Sequence, residues 1–144
     1  METETIALEE LKLVQSIIHN QEQMRIKVVG WCIATISAIS VAYLSQKLNL
    51  PPKSYFSLSL IIILIFLWLD TVHRVAVDRA ILRSGEIESF FRKEIEYDGP
   101  KIGKSISVKN GIPYQFRSLK NVRVYGPYLA LCFAVSCMYL VKNL

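Results

Sequence analysis

The chain of 144 residues has room for one domain, and 52% of those residues are hydrophobic, with a mean hydropathy of +0.33. A soluble domain of this size would struggle to keep so much apolar surface out of water. The 17 Lys and Arg against 12 Asp and Glu read as the basic flanks of membrane segments rather than as a nucleic-acid surface, and no nucleic-acid partner is expected.

Taken in order, the chain opens on Met-Glu-Thr-Glu, without the basic n-region or small-residue cleavage site of a signal peptide. The first span is therefore expected to serve as its own targeting signal. Residues 1–27 read as an amphipathic helix. Leu8, Leu11, Val14 and Ile18 recur at spacings of three and four, widened by Leu13 and Ile17, with Glu9, Lys12, Ser16 and Gln23 opposite. No Gly or Pro separates this helix from the next segment. It is a stalk into the membrane or a helix that docks a partner.

Residues 28–46 carry no charge and form the first expected transmembrane helix. Within it Gly30, Ala34, Ala38 and Ala42 fall at successive i, i+4 positions, a stripe of small residues that lets two helix backbones approach closely. The stripe either packs the span against its own neighbours or forms an oligomer or pore-lining face. Leu48-Asn-Leu-Pro-Pro-Lys53 is then a tight turn, because two prolines prevent a continuous helix.

The second span, residues 54–73, is the part of the chain most plainly written for lipid. No charge lies between Lys53 and Asp70, and every residue from Leu60 to Leu69 is apolar. As a helix the stretch is about 24 Å long, close to a bilayer core. Tyr55 and Trp68 lie near its ends, at headgroup depth. The helical pattern does not stop there. Asp70 with Arg74 and Arg74 with Asp78 are i, i+4 pairs, and Ile87, Phe90, Phe91 and Ile95 hold helical spacing up to Asp98-Gly-Pro100, where the helix is expected to end. Residues 74–123 thus form a charged arm followed by a loop, in which Ser105–Val108 and Ile112–Phe116 alternate around Lys-Asn-Gly as a short hairpin. Residues 124–141 are the third expected transmembrane helix, with Gly126-Pro127 at its start.

Loop charge sets the expected orientation. The N-terminal segment and the 74–123 segment carry three and eleven Lys/Arg, against Lys47, Lys53 and Lys142 on the other side. The positive-inside rule places the N-terminus and the arm in the cytoplasm of an inner (plasma) membrane.

Few constellations suggest chemistry. Cys32, Cys132 and Cys137 lie in apolar runs and read as packing residues, and no spacing suggests a metal site or calls for a cofactor. Gly99-Pro-Lys-Ile-Gly-Lys-Ser105 has three residues between its glycines where a phosphate loop needs four, and an acidic arm precedes it. What remains is a basic loop, Lys101 and Lys104, able to meet phosphates. Arg117, Lys120 and Arg123 before the third span are a positive-inside anchor for anionic headgroups or a site for an anionic ligand. Asp70, His73, Arg74 and Asp78 gather where the second span leaves the membrane. They are self-neutralising helix pairs or a membrane-exit switch, in which His73 changes charge near neutral pH. No nucleophile–base arrangement is present, and an enzyme is not expected.

An amphipathic helix leading into a span, a second span closing on Trp68-Leu69-Asp70, and a charged helix beyond it resemble the small SLATT-type and related membrane effectors of bacterial antiphage defence. The resemblance covers roughly Leu8 to Ile95 and is one of layout. It implies a homo-oligomeric protein that perturbs or permeabilises the inner membrane when a cytoplasmic protein partner or nucleotide signal triggers it. The third span departs from the simplest two-span pattern. The fold expected from the sequence is thus an all-α integral membrane protein with three transmembrane helices, helical extensions and a small loop or hairpin. Its expected role is a channel-like effector, with a non-conducting membrane anchor or adaptor as the rival and a holin as a third possibility.

Overall fold

The computed structural model describes residues 2–103 and 122–143, and it is all-helical among them. Helix α1 runs without a break from Glu2 to Leu44, α2 from Pro52 to Phe91, and α3 from Val122 to Asn143. Each contains a stretch long and apolar enough to cross a membrane. The expected hairpin of Ser105–Val108 and Ile112–Phe116 lies outside the described residues.

At about 1.5 Å per residue, α1 and α2 are each roughly 60 Å long, about twice the thickness of a hydrocarbon core. The amphipathic segment 1–27 and the span 28–46 are therefore one rod, as the absence of Gly and Pro between them requires. The turn between α1 and α2 closes on Gln46 at φ 57°, with its N–H donating to the Tyr43 carbonyl at 3.3 Å. Pro51 and Pro52 then open α2, where a missing N–H costs nothing because no helical partner exists.

The two rods pair antiparallel over their whole length. Buried positions on α1 step by three and four through Ala7, Glu10 and Val14, and again through Val28, Cys32, Ile36, Ser40 and Tyr43. On α2 they run Tyr55, Ser59, Ile63, Asp70, Val77, Ala80, Ser84 and Ile87. Cross-contacts hold one register throughout: Glu10 meets Arg83, Gln21 meets His73, Arg25 meets Asp70 and Ser40 meets Tyr55. Helix α3 packs chiefly on α2 and touches α1 less.

The interior divides into two apolar clusters. In the spans, Cys32, Ile36, Tyr43, Tyr55, Ile63, Tyr128 and Val135 pack together. In the arms, Ala7, Val14, Ala80 and Ile87 pack with Leu11, Ile17, Ile18, Phe90 and Tyr97. Of the apolar stripe read on residues 1–27, Leu11, Val14, Ile17 and Ile18 face α2, but Leu8 and Leu13 point outward.

Two boundaries differ from the sequence expectation. Helix α2 ends at Phe91, not at Asp98. Lys93 takes a left-handed conformation (φ 60°), its N–H donates to the Phe90 carbonyl, and the Glu94 N–H reaches back to Ser89. That is a Schellman closure with Lys where Gly is usual. It folds residues 92–103 back along the arm, whereas a continued helix would carry Tyr97 and Asp98 roughly 20 Å along the axis from Arg83. The third helix begins at Val122, two residues ahead of the expected span at 124, and Pro127 lies inside its first two turns. Losing one backbone hydrogen bond near a helix end is tolerated in membrane helices.

Candidate functional site

The most constrained polar assembly sits at the far end of the arm, around Glu10. Its position follows from helical phase: Glu10 is in step with Ala7 and Val14 on the face that packs α2, so the carboxylate enters the interior and is 2% exposed. Arg83 comes from α2 on the same level and is 4% exposed. Isolated, either charge would be costly to bury. Together they form a fork: Arg83 Nε donates to Glu10 Oε1 at 3.1 Å and Nη2 to Oε2 at 2.9 Å.

The folded-back segment completes the assembly. Tyr97 donates its hydroxyl to Glu10 Oε2 at 2.6 Å, and the Lys101 amide donates to Oε1 at 2.9 Å. Arg83 in turn donates to Glu86 at 2.8 Å, Asp98 at 3.4 Å and the Gly99 carbonyl at 2.8 Å. Lys101 caps Asp98 with an ion pair. Three chain segments are thus tied to one carboxylate and one guanidinium.

The electrostatics follow from this wiring. Burial pushes the Glu10 carboxyl up, but hydrogen bonds from Arg83, Tyr97 and the Lys101 amide outweigh it, and the group is held below the ordinary carboxylate range. Glu10 hydrogen bonding outweighs burial at Arg83 and raises its pKa further. Burial, then donation to Glu10, pushes the Tyr97 phenol up to about 12. All three groups keep one protonation state through the physiological range. A cavity of about 400 Å³ adjoins the assembly, with Arg83, Phe90, Ile95 and Tyr97 among its walls.

A second polar layer marks the end of the second span. Asp70, 1% exposed, accepts from Arg25 Nε at 2.7 Å and Nη2 at 3.4 Å. His73 Nδ1 and Gln21 Oε1 lie 2.6 Å apart, and Arg74 pairs with Asp78 at 2.9 Å. The membrane-exit group Asp70, His73, Arg74 and Asp78 therefore splits. Asp70 and His73 bridge to α1, while Arg74 and Asp78 pair along the surface of α2. The expected Asp70–Arg74 pair gives way to Asp70–Arg25, because Asp70 faces the opposite rod.

Gly30, Ala34 and Ala38 are exposed on the outside of the helical unit, with Ala42 partly covered. No atom lies within 4 Å of where a Gly30 Cβ would sit. The face of α1 that packs within the chain is Val28, Cys32, Ile36, Ser40 and Tyr43. Of the basic residues, Lys101 joins the Glu10 assembly, Lys104, Arg117 and Lys120 lie outside the described residues, and only the helical backbone of Arg123 is described. Among the described residues no group of three His, Cys, Asp or Glu could hold a metal ion.

Glu10, Arg25, Arg83 and Tyr97 escape a reading by local pairs. The available signal was a charged residue in phase with an apolar stripe on each of two antiparallel helices. The chain matches no protein-family model, no curated protein and no solved structure. Fold and site define it as a polytopic all-helical membrane protein with a long, polar-clamped helical arm.

Proposed function

We propose that this chain is a self-associating membrane protein of the inner membrane. Its arm faces the cytoplasm, and its spans act as a membrane-perturbing or channel-like effector triggered at the arm. One observation carries the reading: α1 and α2 run unbroken from the Glu10–Arg83 assembly into the spans. A displacement at the arm's end is then transmitted by two stiff rods, without a hinge to absorb it. Loop charge supports the orientation, and the outward face of Gly30, Ala34 and Ala38 suits contact with a second copy. A role in antiphage defence, with a protein partner or nucleotide signal as the trigger, rests on the resemblance of layout to SLATT-type effectors.

A second reading, a non-conducting adaptor, is favoured by apolar side chains exposed on the arm, Leu13 and Leu82 foremost. Those side chains suit a soluble partner. The two readings separate on one comparison. Expressed under triggering conditions, together with its cytoplasmic partner, the wild type is expected to depolarise cells loaded with a voltage-sensitive dye. Ala38→Leu is expected to insert, run at lower oligomer mass in mild detergent and fail to depolarise. A wild type that leaves the potential intact while retaining a soluble protein at the membrane would establish the adaptor instead.

A further inference from the structure

At the level where the spans meet the arm, a cavity of about 350 Å³ is lined by Glu22, Arg25, Ile26, Val29 and Asp70. That volume falls in the range of small-molecule sites. Its depth is fixed by sequence: Arg25 and Lys27 immediately precede the uncharged stretch of α1, and Asp70 closes that of α2. The upper wall is charged and the lower wall apolar. Ile26 is 67% exposed, Val29 is partly buried, and Ile33, one turn deeper on the same side of α1, is 45% exposed. The pocket therefore continues as an apolar track into the depth of the acyl chains.

The charges select among headgroups. Asp70 already neutralises Arg25, yet only Nε and Nη2 are committed, so the remaining guanidinium hydrogens can donate to a phosphate. Glu22 lines the same pocket and has no protein partner among the described residues. The lining is thus one carboxylate in excess. A free phosphate or an anionic headgroup would meet Glu22 unfavourably. A headgroup bearing both a phosphate and a primary ammonium matches each group in turn, phosphate to Arg25 and ammonium to Glu22. A trimethylammonium headgroup brings the same charge but no N–H to donate.

We propose that this pocket binds phosphatidylethanolamine, its phosphate on Arg25, its ammonium on Glu22 and one acyl chain along Ile26, Val29 and Ile33. The site is independent of whether the protein conducts. It also differs from the anionic-headgroup role expected of the basic residues in the loop.

Native mass spectrometry of the full chain in mild detergent tests it, with phosphatidylethanolamine, phosphatidylcholine and phosphatidylglycerol of matched chains titrated in competition. The expected result is one phosphatidylethanolamine retained per chain with about tenfold preference over the other two. Glu22→Gln is expected to abolish that preference with an unchanged melting temperature, since the side chain is exposed. Soluble phosphoethanolamine is expected not to displace the lipid, because it lacks the chain that fills the track. Equal retention of the three lipids, an undiminished preference in Glu22→Gln, or displacement by the soluble headgroup would each overturn the proposal.

Discussion

The same antiparallel pair of helices is held together by different chemistry at its two ends. In the arm, a carboxylate and a guanidinium are buried outright and tied to two further donors from Tyr97 and Lys101. In the spans, the equivalent cross-helix bond is neutral: Ser40 Oγ and Tyr55 OH lie 2.8 Å apart, with the Tyr43 ring stacked on Tyr55 at 4.1 Å. Between them, at the membrane boundary, Arg25–Asp70 is charged but half relieved, since the arginine is still 15% exposed. Register is continuous across all three. Helix geometry thus sets the register, while the surrounding solvent decides which polar group can be placed at each level.

Removing the charge clamp in the arm is expected to have the largest effect. Arg83→Ala leaves Glu10 buried with only Tyr97 and the Lys101 amide, and costs about 3–5 kcal/mol. Thermal unfolding in detergent, followed by circular dichroism, reads that loss. The pair Glu10→Met with Arg83→Leu is expected to recover most of it, because two apolar side chains of similar size need no partners. Acid separates the two ends further. Glu10 has its folded pKa depressed below its ordinary value of 4.5, so the stability it contributes is present above pH 4.5. It is lost as the pH falls below that value through the folded pKa. That part of the acid loss is expected to vanish in the double variant. A single variant as stable as the wild type would mean that the clamp is solvated and contributes nothing to stability.

Most of the architecture was legible because lipid permits so few solutions. The uncharged runs 54–69 and 124–141, and all but the last two residues of 28–46, each sit in a helix long and apolar enough to cross a membrane. The clamps were not legible, for a physical reason. Pairing rules along one helix relate residues three or four apart, and Asp70 satisfies such a rule with Arg74 while its actual partner is Arg25, on the other rod. Recognising Glu10 required knowing that α1 and α2 pair in register, which no local spacing states. The end of α2 escaped for another reason. Its left-handed closing residue is Lys93 rather than Gly, so the usual stop signal is missing and the contacts of Tyr97 and Lys101 with Glu10 supply the reason for turning back.

The boundary layer is expected to respond next. Asp70→Asn keeps the shape but leaves Arg25 facing a neutral amide, and because Arg25 retains some access to water the cost is about 1–3 kcal/mol. Cross-linking of cysteines placed at Gln21 and His73, whose side chains meet across the two rods one turn away, would report whether the rods still meet at this level. Normal stability with lost cross-linking would show the pair setting alignment rather than contributing energy. An effect as large as that of Arg83→Ala would erase the gradient between arm and membrane.

The neutral bond inside the spans is expected to matter least. Tyr55→Phe keeps the ring, and with it the stack on Tyr43, whose planes lie within 4° of parallel. What disappears is the hydroxyl shared with Ser40 and its 3.6 Å contact to the Met138 sulfur. Ser40 is then free to turn its own hydroxyl to a carbonyl one helical turn back, as serine commonly does in membrane helices. Little remains unsatisfied, so the loss is expected to be about 1 kcal/mol or less. Combining Tyr55→Phe with Ser40→Ala should add almost nothing to either change alone, because both remove the same bond. The unfolding midpoints of the two single variants and the pair in one detergent provide the measurement. A loss rivalling that of Arg83→Ala would mean that the low dielectric of the span multiplies a neutral hydrogen bond to the strength of the buried charge fork, and the contrast between the two ends of the hairpin would fail.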